Sequence, residues 1–154
     1  MLYGLGMRLF RNEEDTLDFC QDVYVKALEN RHSFEGRSKF STWLYSLALN
    51  TGLNILKKSK RLVQVEDVEI FSKNITYGED DILRQITDEE MKQEIRNELE
   101  KLPDAYRIPL ILFYYEKLPY DKIAKELSIK EGTLKSYIFR GKQILKEKLK
   151  ARGY

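Results

Sequence analysis

One stretch, Tyr120 to Leu149, constrains the fold more than any other part of the chain. Ile123, Ala124 and Leu127 form the apolar face of a short helix over Tyr120 to Leu127. Ser128, Ile129 and Lys130 make a tight connection, and a long second helix runs from Glu131 to Leu149 with Leu134 and Ile138 facing the first. Two helices this close need a small residue at their crossing, here Ala124, and an apolar plug in the turn, here Ile129. That is the pattern of a helix-turn-helix, whose second helix lies in the DNA major groove. Its outward positions are Glu131, Lys135, Ser136, Phe139 and Arg140. Lys135 suits guanine, Ser136 suits either donors or acceptors, and Phe139 suits a thymine methyl. Arg140, Lys142 and Lys146 suit phosphates, which position a protein without encoding sequence. A helical hairpin inside a bundle fits the same apolar spacing, but the turn residues and the basic bias together favour DNA.

The charge distribution points the same way. Charged residues make up 34% of the chain, against about 25% in an ordinary globular protein. Only 3 Pro and 8 Gly interrupt it, which favours helices with wide solvated faces. The net charge of +2 conceals a strong asymmetry. Between Gln64 and Glu90, nine acids face only Lys73 and Arg84. Between Lys130 and Tyr154, eight bases face only Glu131 and Glu147. Lys57, Lys58, Lys60 and Arg61 form a second basic cluster. Two basic regions flanking an acidic segment suit two nucleic-acid contacts joined by a linker, although solvated helix faces around an acidic loop give the same profile.

The predicted fold is all-α, with two small helical domains joined by a linker: residues 1–61, an acidic linker 62–88, and a helix-turn-helix domain 89–154. The apolar start, Leu2 to Phe10, reads as the tail of a helix. Asn12 is placed to cap the next helix, with Glu13, Glu14 and Asp15 in its first turn. Leu17, Cys20, Tyr24, Ala27 and Leu28 recur at helical spacing and are the expected buried face, with Asp15, Asp18 and Asp22 on another. Arg31 to Lys39 reads as a loop turning at Gly36, and Ser41 or Thr42 is the expected cap of a third helix ending near Lys58. Leu44, Leu47, Ala48, Thr51 and Ile55 mark its stripe. Thr87 or Asp88 starts the next helix. Pro109 requires the following one either to begin near Tyr106 or to kink.

Leu102-Pro103, Tyr106-Arg107, Tyr120 to Leu127 and Gly132 to Lys142 resemble region 4 of the extracytoplasmic-function sigma factors. Asp18 to Ala27, Ser33 to Tyr45 and Ala48 to Asn50 resemble region 2 of the same family. A helix-turn-helix alone would also fit a stand-alone transcription regulator that never engages polymerase; the first half of the chain decides against that. The resemblance implies a non-catalytic subunit that directs RNA polymerase to promoters. By position, Asp18, Gln21 and Asp22 would contact the basic clamp helices of β′, where opposite charge suits docking, although a plain solvated acidic face reads the same. The loop Phe34, Glu35, Gly36, Arg37, Ser38 and Lys39 would hold a base flipped from the −10 element. Asn50 and Asn54 would lie along the melted strand, with Lys57, Lys58 and Arg61 on its phosphates. Trp43 fits base stacking or a core position beside Phe40 and Leu44. The second domain would bind the −35 element and the β flap, and the linker would thread the active-site cleft and RNA exit channel, although a flexible tether reads the same. An anti-sigma factor is a common further partner in that family, which usually also has more helix before the position of Met1.

Two departures stand out. Ser128 occupies a position that is usually Gly, so the turn should be strained or reshaped, and Tyr137 occupies one that is commonly basic. No carboxylate cluster, Cys–His pair or phosphate-binding Gly loop stands at catalytic spacing, so no enzyme activity and no cofactor are expected. One His and one Cys supply no ligand set for a structural metal. With a single cysteine, no signal peptide and no long apolar run, the expected location is the cytoplasm without membrane insertion.

Overall fold

A computed structural model describes residues 1–59, 62 and 86–154. Among these, every regular element is helical and none is a strand. The chain divides into two compact units, Met1–Arg61 and Leu62–Tyr154. The expected acidic linker falls almost wholly outside the described residues, as does Arg61.

The first unit holds α1 (Leu2–Phe10), α2 (Glu13–Glu29) and α3 (Phe40–Lys58), with a 3₁₀ turn at Arg31–Ser33. Asn12 caps α2 as expected, its side chain accepting the Asp15 N–H at 2.8 Å. Leu5, Leu9, Phe19, Val23, Leu53 and Leu56 make the core, and the Phe10 and Phe19 rings meet at 5.4 Å. The three helices close tightly because Gly52 has no side chain: a Cβ there would sit 2.5 Å from Leu9 Cδ1. Thr16 and Thr51 are buried without penalty, since each hydroxyl donates to the carbonyl one turn earlier, Asn12 and Leu47.

The buried face of α2 differs from the expected one. Thr16, Phe19 and Val23 face the core, while Leu17, Tyr24 and Leu28 are exposed. The helix is turned by about a quarter turn from the orientation that its most obvious apolar stripe suggests. Helix α2 carries apolar side chains on two arcs, and the buried arc is disguised by Thr16. The start of α3 also differs. It begins at Phe40 with Lys39 as N-cap and no side-chain cap, so neither Ser41 nor Thr42 serves. Of its expected stripe, Ala48 and Thr51 are buried, while Leu44, Leu47 and Ile55 are half-buried.

The second unit holds α4 (Glu89–Glu100), α5 (Asp104–Tyr114), α6 (Tyr120–Leu127) and α7 (Glu131–Ala151). Asp88 caps α4 by accepting the N–H groups of Glu90 and Met91. Helix α5 is the centre of this unit, buried from Asp104 to Leu112. Of the two expected outcomes, a start near Tyr106 is not the one found: the helix begins at Asp104 and carries Pro109 inside it. Arg107, only 1% exposed, donates through Nε to Asp104 Oδ1 at 2.9 Å. Burying both charges is tolerable because each neutralises the other; removing one alone costs about 3–5 kcal/mol in such pairs. Gly141 lets α7 reach α5, since a Cβ there would lie 2.8 Å from Leu110 Cδ1.

Candidate nucleic-acid and partner interfaces

The turn between α6 and α7 is built as the sequence implies. Ile123, Ala124 and Leu127 are buried on α6, and Leu134 and Ile138 on α7. The Ser128 N–H donates to Lys125 and the Ile129 N–H to Ala124, at 3.2 and 3.0 Å. These two bonds form a Schellman ending, which requires a left-handed residue between them. Ser128 supplies it at φ 56°, ψ 41°. The turn therefore keeps its geometry and carries the strain of an L side chain in that region, about 1–2 kcal/mol.

Helix α7 presents Glu131 and Arg140 fully, and Lys135 and Phe139 in part. Lys135 Nζ lies 3.6 Å from Glu131 Oε1, one turn back, which holds the amine near the start of the helix. Ser136 corrects the expectation. It is buried, and its hydroxyl donates to the Gly132 carbonyl at 3.1 Å, the back-bonded arrangement a short hydroxyl adopts inside a helix. Tyr137, the second departure, is a core residue whose ring meets Tyr106 edge-on at 5.8 Å. Lys146 is exposed, whereas the Lys142 amine sits over the Tyr114 and Phe113 rings at 5.4 and 6.0 Å. The ring faces hold that amine by their quadrupoles.

Beside this surface, α4, α5 and the segment before α6 enclose an open groove of about 780 Å³. Ile95, Leu99, Phe113 and Leu118 form its apolar floor and walls, and Lys92, Arg96 and Lys117 contribute positive charge. Nothing in the local sequence signals this groove, because its walls come from separate helices. The far wall, α4, is tied to the end of α7. Arg152 pairs with Glu94 and, at 2.7 Å, with Glu98, and Lys101 Nζ bonds Glu98 at 2.8 Å. The Lys101 hydrogen bond, helped by the Arg152 charge, holds the Glu98 carboxyl below the usual carboxylate range although burial opposes it.

In the first unit, Gly36 turns the loop at φ 73°, and Glu35, Arg37, Ser38 and Lys39 are exposed. Arg37 and Glu35 pair at 2.9 Å on the surface. Phe34 folds onto α3, where its ring meets Phe40 and Trp43, each at 5.6 Å. Trp43 is thus half-buried in an aromatic cluster of its own and absent from the main core. Asn50 and Asn54 are exposed, one turn apart, followed by half-buried Lys57 and exposed Lys58. On α2, Asp18, Gln21 and Asp22 are all exposed, interleaved with Leu17, Tyr24 and Leu28. Partial burial pushes the Cys20 thiol up from its ordinary value.

Two family models cover the two units in order. "Sigma-70 region 2" matches residues 1–62 and "Sigma-70, region 4" matches residues 92–145. The chain is 30% identical to the ECF RNA polymerase sigma factor SigW of Bacillus subtilis (strain 168), over 97% of this chain and 83% of that relative. It is 32% identical to the ECF RNA polymerase sigma-E factor of Escherichia coli (strain K12), over 88% and 74%. Its fold is also that of the sigma factor RpoE from Bartonella quintana, solved in complex with the anti-sigma factor NepR. That likeness has a TM-score of 0.56 at 23% identity, over 97% of this chain and 89% of that one. A region 2 followed by a helix-turn-helix region 4 defines a sigma-70-type transcription initiation factor. The chain belongs to the extracytoplasmic-function sigma factors of RNA polymerase, which bind core polymerase and are not enzymes. Among the described residues, no helix is long and apolar enough to cross a membrane.

Proposed function

We propose that residues 1–61 act as region 2 and residues 89–154 as region 4, joined by the linker 62–88, and that each unit carries one polymerase contact and one promoter contact. The observation that carries this reading is the exposed face of α2. Leu17, Tyr24 and Leu28 would be costly to leave in water as a row, unless a partner covers them. Gln21 lies next to the row, and Asp18 and Asp22 flank it on the neighbouring face and match the basic β′ clamp helices in charge. In the second unit the apolar groove with its basic rim suits a segment of the β flap. The loop Phe34 to Lys39 takes a flipped −10 base, with Trp43 as the floor of the stack beneath Phe34 and Phe40. Asn50, Asn54, Lys57, Lys58 and Arg61 follow the melted strand along α3. On the −35 element, Lys135 and Phe139 read base edges, while Arg140, Lys142 and Lys146 hold phosphates. Ser136 supports that surface from behind through its bond to Gly132. Glu131 orients Lys135. The protein works in the cytoplasm, where polymerase is, and an anti-sigma factor is its expected regulator.

Pull-down of purified core polymerase followed by promoter-specific run-off transcription tests this. Asp18→Lys with Asp22→Lys should lose core binding and transcripts while −35 binding survives. Lys135→Ala should relax base preference by about 1–3 kcal/mol at one position. Lys146→Ala should lower affinity uniformly and reduce the salt slope by about 1. A wild-type chain that fails to bind core would sink the reading.

A further inference from the structure

The groove of the second unit has one wall that is weakly seated. Helix α4 buries only Glu98 and Leu99, and its main packing partner is α7. Its exposed positions include the charged Glu89, Glu90 and Glu100. Apolar burial of this extent does not fix a helix of three turns in one orientation. The ion pairs at its far end supply the missing constraint. Arg152 stands just beyond α7 and engages two carboxylates one turn apart on α4, Glu94 and the buried Glu98. A guanidinium presents several donors in a fixed fork, so gripping two acceptors sets rotation as well as distance. Lys101 holds Glu98 from the other side.

We propose that Arg152 is the positioning residue of the groove: it holds α4 against α7 so that Ile95 and Leu99 face Phe113 and Leu118. Arg152 lies outside the region 4 match, which ends at residue 145. It also lies at the opposite end of α7 from Lys135 and Phe139, so its influence on the groove is separable from DNA reading. The basic C-terminal run therefore divides by role, with Arg152 engaged by acids on its own domain, Lys142 over the Tyr114 and Phe113 rings, and Arg140 and Lys146 exposed on the surface proposed for DNA. The inference rests on the reading that the groove receives the β flap.

The test uses the full chain with the isolated β-flap domain of the cognate polymerase as probe, and a −35 duplex in parallel. Arg152→Glu should weaken flap binding about tenfold and speed amide exchange in α4 alone, with duplex binding unchanged within about twofold. The swapped pair Arg152→Glu with Glu94→Arg should restore part of the flap affinity, since it rebuilds the pair with position 94 and leaves Glu98 facing a carboxylate. Arg152→Lys, which meets one carboxylate at a time, should fall between. Ile95→Glu, in the groove itself, should abolish flap binding. If Ile95→Glu abolishes binding and Arg152→Glu leaves it intact, Arg152 has no positioning role and the groove reading stands. If neither variant matters, both fall. If Arg152→Glu lowers duplex and flap binding equally, Arg152 is a general stabiliser and the proposal is wrong.

Discussion

Helices α2 and α7, the two surfaces proposed for polymerase and for DNA, are built on opposite plans. Helix α7 buries most of its apolar side chains and turns most of its bases outward. Helix α2 buries a modest arc and turns leucines and a tyrosine outward among acids. The difference matches what each is proposed to meet. A phosphate backbone rewards charge, whose attraction is long-ranged and salt-sensitive. A protein partner rewards apolar area as well, with charge serving to steer and register. The outward apolar residues of α2 are therefore part of its design as much as the inward ones.

The sharpest way to break this comparison is on α2 itself. Phe19→Ala should cost about 3–5 kcal/mol of stability in chemical denaturation, because Phe19 is fully buried beside Phe10. Leu28→Ala, at 64% exposure, should change stability by less than about 0.5 kcal/mol and still weaken core binding. Equal losses of stability would mean that the two faces of α2 are wrongly assigned. On α7, Gly141→Ala should cost about 1–3 kcal/mol, since its Cβ would press on Leu110. Gly132, with open space around it, should accept Ala with a gain of up to about 1 kcal/mol. Ser128→Gly should relieve the turn by about 1 kcal/mol, read as a rise in melting temperature of the second unit.

The smallest effect is one of pH. The Glu98 carboxyl is held below its unfolded value, so its contribution is complete above that value, about 4.3, and is lost as pH falls through the lower folded one. Acid titration of stability should show this slope in the wild type and a flatter one in Glu98→Gln.

How much of this was legible in the sequence depended on how local each feature was. The helix-turn-helix was readable because one apolar stripe, one turn and one helix start lie within a few residues of each other. The Asn12 and Asp88 caps were readable for the same reason. Helix α2 was misread because two apolar arcs compete, and only the neighbouring helices decide between them. Ser136 was misread because helical spacing puts it outward while its hydroxyl turns back to Gly132. The Glu94–Arg152 pair joins residues 58 positions apart, and no periodicity announces such a contact.

If α2 docks on polymerase as proposed, its exposed row also bears on the molecule between rounds of transcription. A chain released from polymerase would then uncover Leu17, Tyr24 and Leu28 together. An apolar patch left in water is open to other partners and to self-association, so the free chain would be the exposed form and the engaged chain the sheltered one. The side chains proposed to make the contact would then need a cover whenever the chain is idle.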